Sequence, residues 1–238
     1  MGSRLFRRWS CRARSKLLPL TDRVALAAEK GGFETRSPLP RKVAEREKPR
    51  SSMALLHTFY LEHLGPPAGP PMQPPMPGLS ISTALLGVDD YLTLFREVGG
   101  PIGWDGRTEM ARDDLAAFLA NPKTQIFVLN ITGARAGFCE FSSADAPESE
   151  IVYFGLIPPA QGQKLGPYLL DYALRAHWKQ HAPQRVWLHT DEWDGPRAVD
   201  TYKRAGFRVF GERRLDEDAT YRDYRAARDA LTAGQPDA

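Results

Sequence analysis

The stretch YFGLIPPAQGQKLGPYLLDYALRAHW, residues 153–178, decides the fold. An apolar run turns through Pro158 and Pro159, crosses a Gly/Gln segment and becomes an amphipathic helix. Leu165, Leu169, Tyr172, Ala173 and Ala176 recur at helical spacing, so one face of a helix over 163–181 should pack on a sheet. Pro167 suits the first helical turn, where its missing N–H has no partner anyway. Gly162 and Gly166 let the backbone come close to a ligand, and helix-start amides favour an anion such as a diphosphate. An ordinary structural turn has the same features.

The elements on either side place this turn. Upstream, the runs 125–130, 135–143 and 150–157 read as strands separated by Thr132-Gly133 and Asp145-Ala146-Pro147, an antiparallel meander. Before them, 79–86 reads as a strand, 88–98 as a helix ending at Gly99-Gly100-Pro101, and 112–120 as a second helix. Downstream come a strand at 185–190, a helix near 196–205 and a strand at 208–214. Strand, long helix and strand form a crossover unit, so the strands at 150–157 and 185–190 are parallel. The fold class is therefore α/β, with a mixed, mostly antiparallel central sheet, one parallel pair and flanking helices. A doubly wound nucleotide-binding domain fits poorly, because three strands precede the glycine turn without intervening helices.

Composition sets the boundaries. Residues 1–52 carry 14 Lys/Arg against 5 Asp/Glu, whereas the remainder carries 18 against 24. The basic extension 1–52 reads as disordered; a transit peptide, a nucleic-acid arm and a start at Met53 are the other readings. Residues 53–78 hold GPPAGPPMQPPMPG and read as a stiff, extended linker. The domain proper is placed at 79–217, with a charged helix or tail at 218–238. Two cysteines, Cys11 and Cys139, are too few for a disulfide framework, which favours a reducing, cytoplasmic setting. No apolar run approaches the roughly 18 residues of a membrane helix.

The turn sequence Gln161-Gly162-Gln163-Lys164-Leu165-Gly166, followed by Ala198, Tyr202 and Ala205-Gly206-Phe207, resembles the GCN5-related N-acetyltransferase superfamily. That family's motif runs from a strand through Gln/Arg-x-x-Gly-x-Gly/Ala into a helix and ends in A-x-x-x-Y-x-x-x-G-F. The resemblance spans about 79 to 214. It implies the acyl-CoA N-acyltransferase fold with its parallel pair splayed, and transfer from acetyl-CoA to a primary amine by direct attack in a ternary complex. No metal is implied. Gly155, Leu156 and Ile157 would hydrogen-bond pantetheine, and the amides of Gln161, Gly162, Gln163, Lys164, Leu165 and Gly166 would hold the diphosphate. Lys164 stands where the family has its central glycine, and Gly195 where many members have Asn. Those departures leave a non-catalytic CoA-binding or partner-binding domain as the alternative.

The resemblance also nominates catalytic groups. Tyr202 matches the general acid that protonates the departing thiolate. Its spacing with Ala198 and Ala205 also suits a core tyrosine. Glu150 matches a general base on the strand before the turn, or is a solvated strand-end residue, with Glu140 second; paired strands could make the two carboxylates neighbours. Trp104, Asp105, Arg107 and Glu109 could line or rim an amine pocket, and Asp191, Glu192 and Asp194 would suit a cationic acceptor. His189 is left open between pocket and sheet. His177 and His181 lack a third metal ligand and read as a surface pair, and Cys139 as a buried thiol. The expected partner is a small-molecule or peptide amine, with no membrane and no nucleic-acid role for the domain; a homodimer stays open.

Overall fold

The computed structural model describes residues 55–83, 85–143, 147–195, 197–216 and 221–234. The chain divides into two units, Met1–Ala44 and Glu45–Ala238, and every described residue belongs to the second. The expectations for the basic extension lie outside the described residues. The strands are β1 Leu55–His63, β2 Leu79–Thr83, β3 Thr124–Ile131, β4 Ala134–Ser142, β5 Glu148–Leu156, β6 Arg185–Asp191 and β7 Arg208–Asp216. The helices are α1 Val88–Gly99, α2 Arg112–Leu119, α3 Leu165–His181, α4 Ala198–Arg204 and α5 Tyr221–Ala233. The strands form one sheet in the order β2-β3-β4-β5-β6-β1-β7, antiparallel everywhere except between β5 and β6.

Alternation along each strand builds two cores. Phe127, Leu129, Cys139, Phe141 and Ile151 pack with Leu165, Leu169, Leu170, Ala173 and Leu174 of α3. Ile126, Val128 and Phe138 pack instead with Tyr91, Leu94, Phe95 and Val98 of α1 and Leu115 of α2. The β3–β4 turn is the two-residue Thr132-Gly133, with φ of 49° and 90°, the positive pair whose twist matches flanking strands. The meander over β3, β4 and β5 follows the sequence expectation.

Two expectations need correction. Residues 53–78 are not a linker throughout, because Leu55–His63 forms β1, inserted between β6 and β7. The sheet therefore starts upstream of Leu79. Adjacent prolines drew attention from LLHTFYLEH, whose Tyr60 and Leu61 are fully buried. The proline-rich connection has a specific task here: β1 and β2 lie five strand spacings apart, roughly 24 Å. Residues 64–78 extended at about 3.1 Å each reach roughly 45 Å, enough to cross the helix layer. The connection is fastened on the way, as Met72 N–H donates to Asp171 Oδ2 at 2.9 Å and Arg175 Nη2 to the Ala68 carbonyl at 3.1 Å.

The second correction concerns α3. Its buried face is Leu165, Leu169, Leu170, Ala173, Leu174, His177 and Trp178, and Tyr172 is 41% exposed. His177 is thus no surface residue. Its ring stacks on Phe141 with centroids 4.1 Å apart, and Nδ1 lies 2.7 Å from Gln125 Oε1. Burial, and then the neighbouring His181, push its pKa down to about 3, so it is a neutral core group.

Candidate active site

The site begins where β5 and β6 part. They pair at Glu148↔Arg185, Ser149↔Val186 and Glu150↔Trp187, and no further pair follows. Beyond Glu150, a bulge between Glu140 and Phe141 in the β4 pairing leaves Val152 unmatched and re-aims the strand. The result is a V with Glu150 at its vertex and Leu156 at its mouth. Ile157 N–H donates to the Ala136 carbonyl at 2.9 Å, so strand alternation turns the Gly155 amide to β4 and those of Phe154 and Leu156 into the V. Of Gly155, Leu156 and Ile157, only Leu156 offers an amide there. Phe154, missed from sequence, joins it; the hairpin register was the signal that could have found it.

Gly155 has another task. A Cβ there would stand 2.5 Å from Val98 Cγ1, so the bare backbone is what lets α1 close on the sheet.

The turn after β5 is held from within. Gln161 Nε2 donates to the Leu156 carbonyl at 3.1 Å and Gln163 Nε2 to the Pro159 carbonyl at 2.8 Å. Gly162 takes φ +79° and Lys164 φ +62°, so the lysine adopts the left-handed conformation that a glycine would supply. Residues 161–164 are exposed. Among the described residues, the amides of 162–166 have no backbone acceptor outside α3, and Lys164 provides no side-chain cap. Unpaired donors on the exposed turn 161–164, beside a strand edge with open amides, fit an extended ligand ending in a diphosphate.

Across the V, α4 brings Tyr202 against Phe154, with ring centroids 5.9 Å apart. Tyr202 is 8% exposed, and its hydroxyl has no hydrogen-bond partner among the described residues. Burial, followed by the charge of Asp194, holds its pKa well above the phenol range. The hydroxyl stays protonated at any working pH.

The two carboxylates nominated on β4 and β5 are not neighbours, because Glu140 pairs with Tyr153 and Glu150 with Ser142. Glu140 is fully buried and committed on both oxygens, to Tyr91 Oη and to Arg107 Nη2 at 2.6 Å. Arg107 is consequently not a pocket cation: it is clamped between Glu140 and the Phe118 ring, 4.0 Å from the centroid. Glu150 is 1% exposed, 3.5 Å from His189 Nδ1 and 3.7 Å from Arg225 Nη1 of α5. His189 in turn lies under the Tyr224 ring, centroids 4.0 Å apart.

The mouth of the V is acidic and aromatic. Asp194 Oδ2 accepts from Thr190 Oγ1 at 2.9 Å, and its Oδ1 from Trp104 Nε1 at 3.3 Å. Asp191 Oδ1 accepts the Trp193 N–H at 2.8 Å. Burial and the adjacent Asp194 raise Asp191 to about 6, and burial with the same two charges pushes Tyr224 up to about 12. Trp104 packs on Tyr153 at 4.9 Å. No group of three or more potential metal ligands occurs among the described residues.

The family profile for the acetyltransferase (GNAT) family matches residues 91–207, from α1 to the Phe207 that closes the A-x-x-x-Y-x-x-x-G-F pattern. Residues 91–207 belong to the GNAT acetyltransferase family. Among solved structures, a GCN5-related N-acetyltransferase from Sphaerobacter thermophilus aligns with a TM-score of 0.49 at 20% identity, over 70% of this chain and 55% of that one. An aminoglycoside acetyltransferase from an uncultured soil metagenomic sample aligns with a TM-score of 0.46 at 17% identity, over 54% and 87%. The chain thus spans about half the length of the first GNAT structure. No curated protein matches it. The GNAT profile leaves out β1, β2, β7 and α5, so the strand that parts β6 from β7 and the helix over His189 lie outside the matched region.

Proposed function

We propose that this protein is an N-acetyltransferase that carries the acetyl group of acetyl-CoA to a primary amine by direct attack in a ternary complex. One observation carries the reading: β5 and β6 pair for three residues and then diverge, and the open edge of β5 runs into an exposed turn whose amides at 162–164 have no backbone acceptor among the described residues. The backbone of Phe154 and Leu156 is suited to pair with pantetheine as an added strand. The amides of 162–166 and the Lys164 ammonium are suited to a diphosphate. Acetyl-CoA supplies an activated thioester: the amine nitrogen bonds to the acetyl carbon, the carbon–sulfur bond breaks, and sulfur leaves as a thiol.

The chain's own groups supply positioning and proton handling. Tyr202, protonated and with no partner among the described residues, donates to the departing sulfur. Glu150, enclosed at the vertex, reaches the mouth by way of His189, and that pair takes the acceptor's surplus proton. A non-catalytic role rested on a compromised turn, but Lys164 keeps the positive φ that the turn requires. Calorimetric titration of the full chain with coenzyme A tests the assignment. Micromolar binding is expected; no heat at millimolar ligand removes the assignment.

A further inference from the structure

Among the described residues, Asp191 and Asp194 form no salt bridge with any lysine or arginine. Both carboxylates are half-buried, and Asp191 shows the consequence, a carboxyl raised by burial and by its neighbour to about 6. Two carboxylates without a third ligand fall short of what a divalent cation takes. What they lack is a monovalent cation with apolar flanks. The Trp104 ring, backed by Tyr153, meets Asp194 through its indole N–H, and Tyr224 lies within reach of both charges. Rings bordering carboxylates suit an alkylammonium, which gains from the π-faces as well as from charge.

An independent feature marks the same place as a ligand seat. Tyr202 is more than nine-tenths buried, carries a hydroxyl without a partner among the described residues, and feels the field of Asp194. A bound molecule in the V would give that hydroxyl an acceptor.

The attacking nitrogen must be neutral, so it cannot be the cation that the acidic pair retains. We propose that the acceptor carries two amino groups, and that Asp191 and Asp194, bordered by Trp104 and Tyr224, hold the charged one while the other meets the thioester. The inference rests on the acetyl-transfer reading and narrows its substrate to diamines and polyamines. Glu192, on the same loop, adds to the field that draws such a molecule in.

The test titrates 1,3-, 1,4- and 1,5-diaminoalkanes, and the monoamines of equal length, into the full chain saturated with coenzyme A at pH 7.5 and low salt. At least one diamine should bind about tenfold tighter than its monoamine, the gain of one well-formed charge pair. The gap should shrink to within about twofold in Asp191→Asn and narrow in Asp194→Asn, with coenzyme A affinity unchanged. Equal binding of both amine types throughout, or a gap that survives in both variants, overturns the proposal while leaving acetyl transfer intact. Failure of coenzyme A itself to bind removes both. High salt supplies a check that needs no variant: the diamine advantage should fade, and a salt-insensitive advantage counts against the charged seat.

Discussion

Trp104 donates its indole N–H to Asp194 across 3.3 Å, tying the connection after α1 to the connection after β6 over the mouth of the V. The ring is seated from below as well, because a Cβ on Gly99 would lie 2.2 Å from Trp104 Cε3 and one on Gly155 3.5 Å from Cη2. Trp104→Phe keeps a ring and removes the donor, freeing Asp194 to drift. The acceptor KM should rise about three- to tenfold, matching roughly 1 kcal/mol for one long hydrogen bond. Coenzyme A affinity should stay within about twofold. An unchanged KM removes Trp104 from acceptor binding.

Asp191 gives a pH signature in stability. Its carboxyl titrates near 6 in the folded chain against a usual 3.8, so the native state binds that proton more tightly than the unfolded chain. The contribution is complete below about pH 3.8 and is lost as pH rises through 6. Asp194, His189 and Tyr224 face the group and remain in place in a variant. Asp191→Asn cannot ionise, so its Tm should exceed that of the parent at pH 8 and match it near pH 4. A Tm difference of the same size at both pH values would show that burial of the charge is not the cause. The gain should coincide with weaker acceptor binding, the trade expected where a strained charge serves a ligand.

The sequence was legible where local chemistry repeats. Thr132-Gly133 demands positive φ twice and so announces the β3–β4 hairpin. The three β-rich runs and the crossover helix then leave only a mixed sheet. β1 was hidden because its identity depends on partners more than a hundred residues away, Arg185–Asp191 and Arg208–Asp216, and nothing local in LLHTFYLEH names them. The carboxylates show the same limit. Glu140 and Glu150 look alike in one dimension; the bulge after Glu140 and the reach of Arg107 commit one to an ion pair and send the other to the vertex. His177 carried the i,i+4 spacing of an exposed pair, yet the face it occupies is set by Leu170 and Leu174 turning inward.

Lys164 combines strain with charge. A non-glycine residue at φ +62° costs about 1 kcal/mol, and glycine returns a similar amount through the entropy of the unfolded chain. Lys164→Gly should therefore leave Tm within a few degrees of the parent. Coenzyme A affinity should fall about fivefold at low salt, because an exposed ammonium contributes up to about 1 kcal/mol to an anion. The steepness of its salt dependence should decrease with it. Tighter binding by the glycine variant would mean that the side chain obstructs the turn and does not assist it.

Tyr202 distinguishes a chemical role from a packing role with one oxygen atom. The ring contacts Phe154 at 5.9 Å and Phe207 at 5.8 Å, and Tyr202→Phe preserves both. The lost hydroxyl has no partner among the described residues, so its removal should leave stability unchanged or raise it by about 1 kcal/mol. A donor to the departing sulfur predicts something else for turnover: kcat lower by about a hundred- to ten-thousand-fold, the range that general acid catalysis spans, at nearly constant coenzyme A affinity. Because burial keeps the phenol protonated far above neutrality, the parent protein should show no alkaline loss of rate from this group below about pH 10. A variant with parental kcat would assign Tyr202 to the core alone and leave the thiolate to take its proton from the acceptor nitrogen or from water.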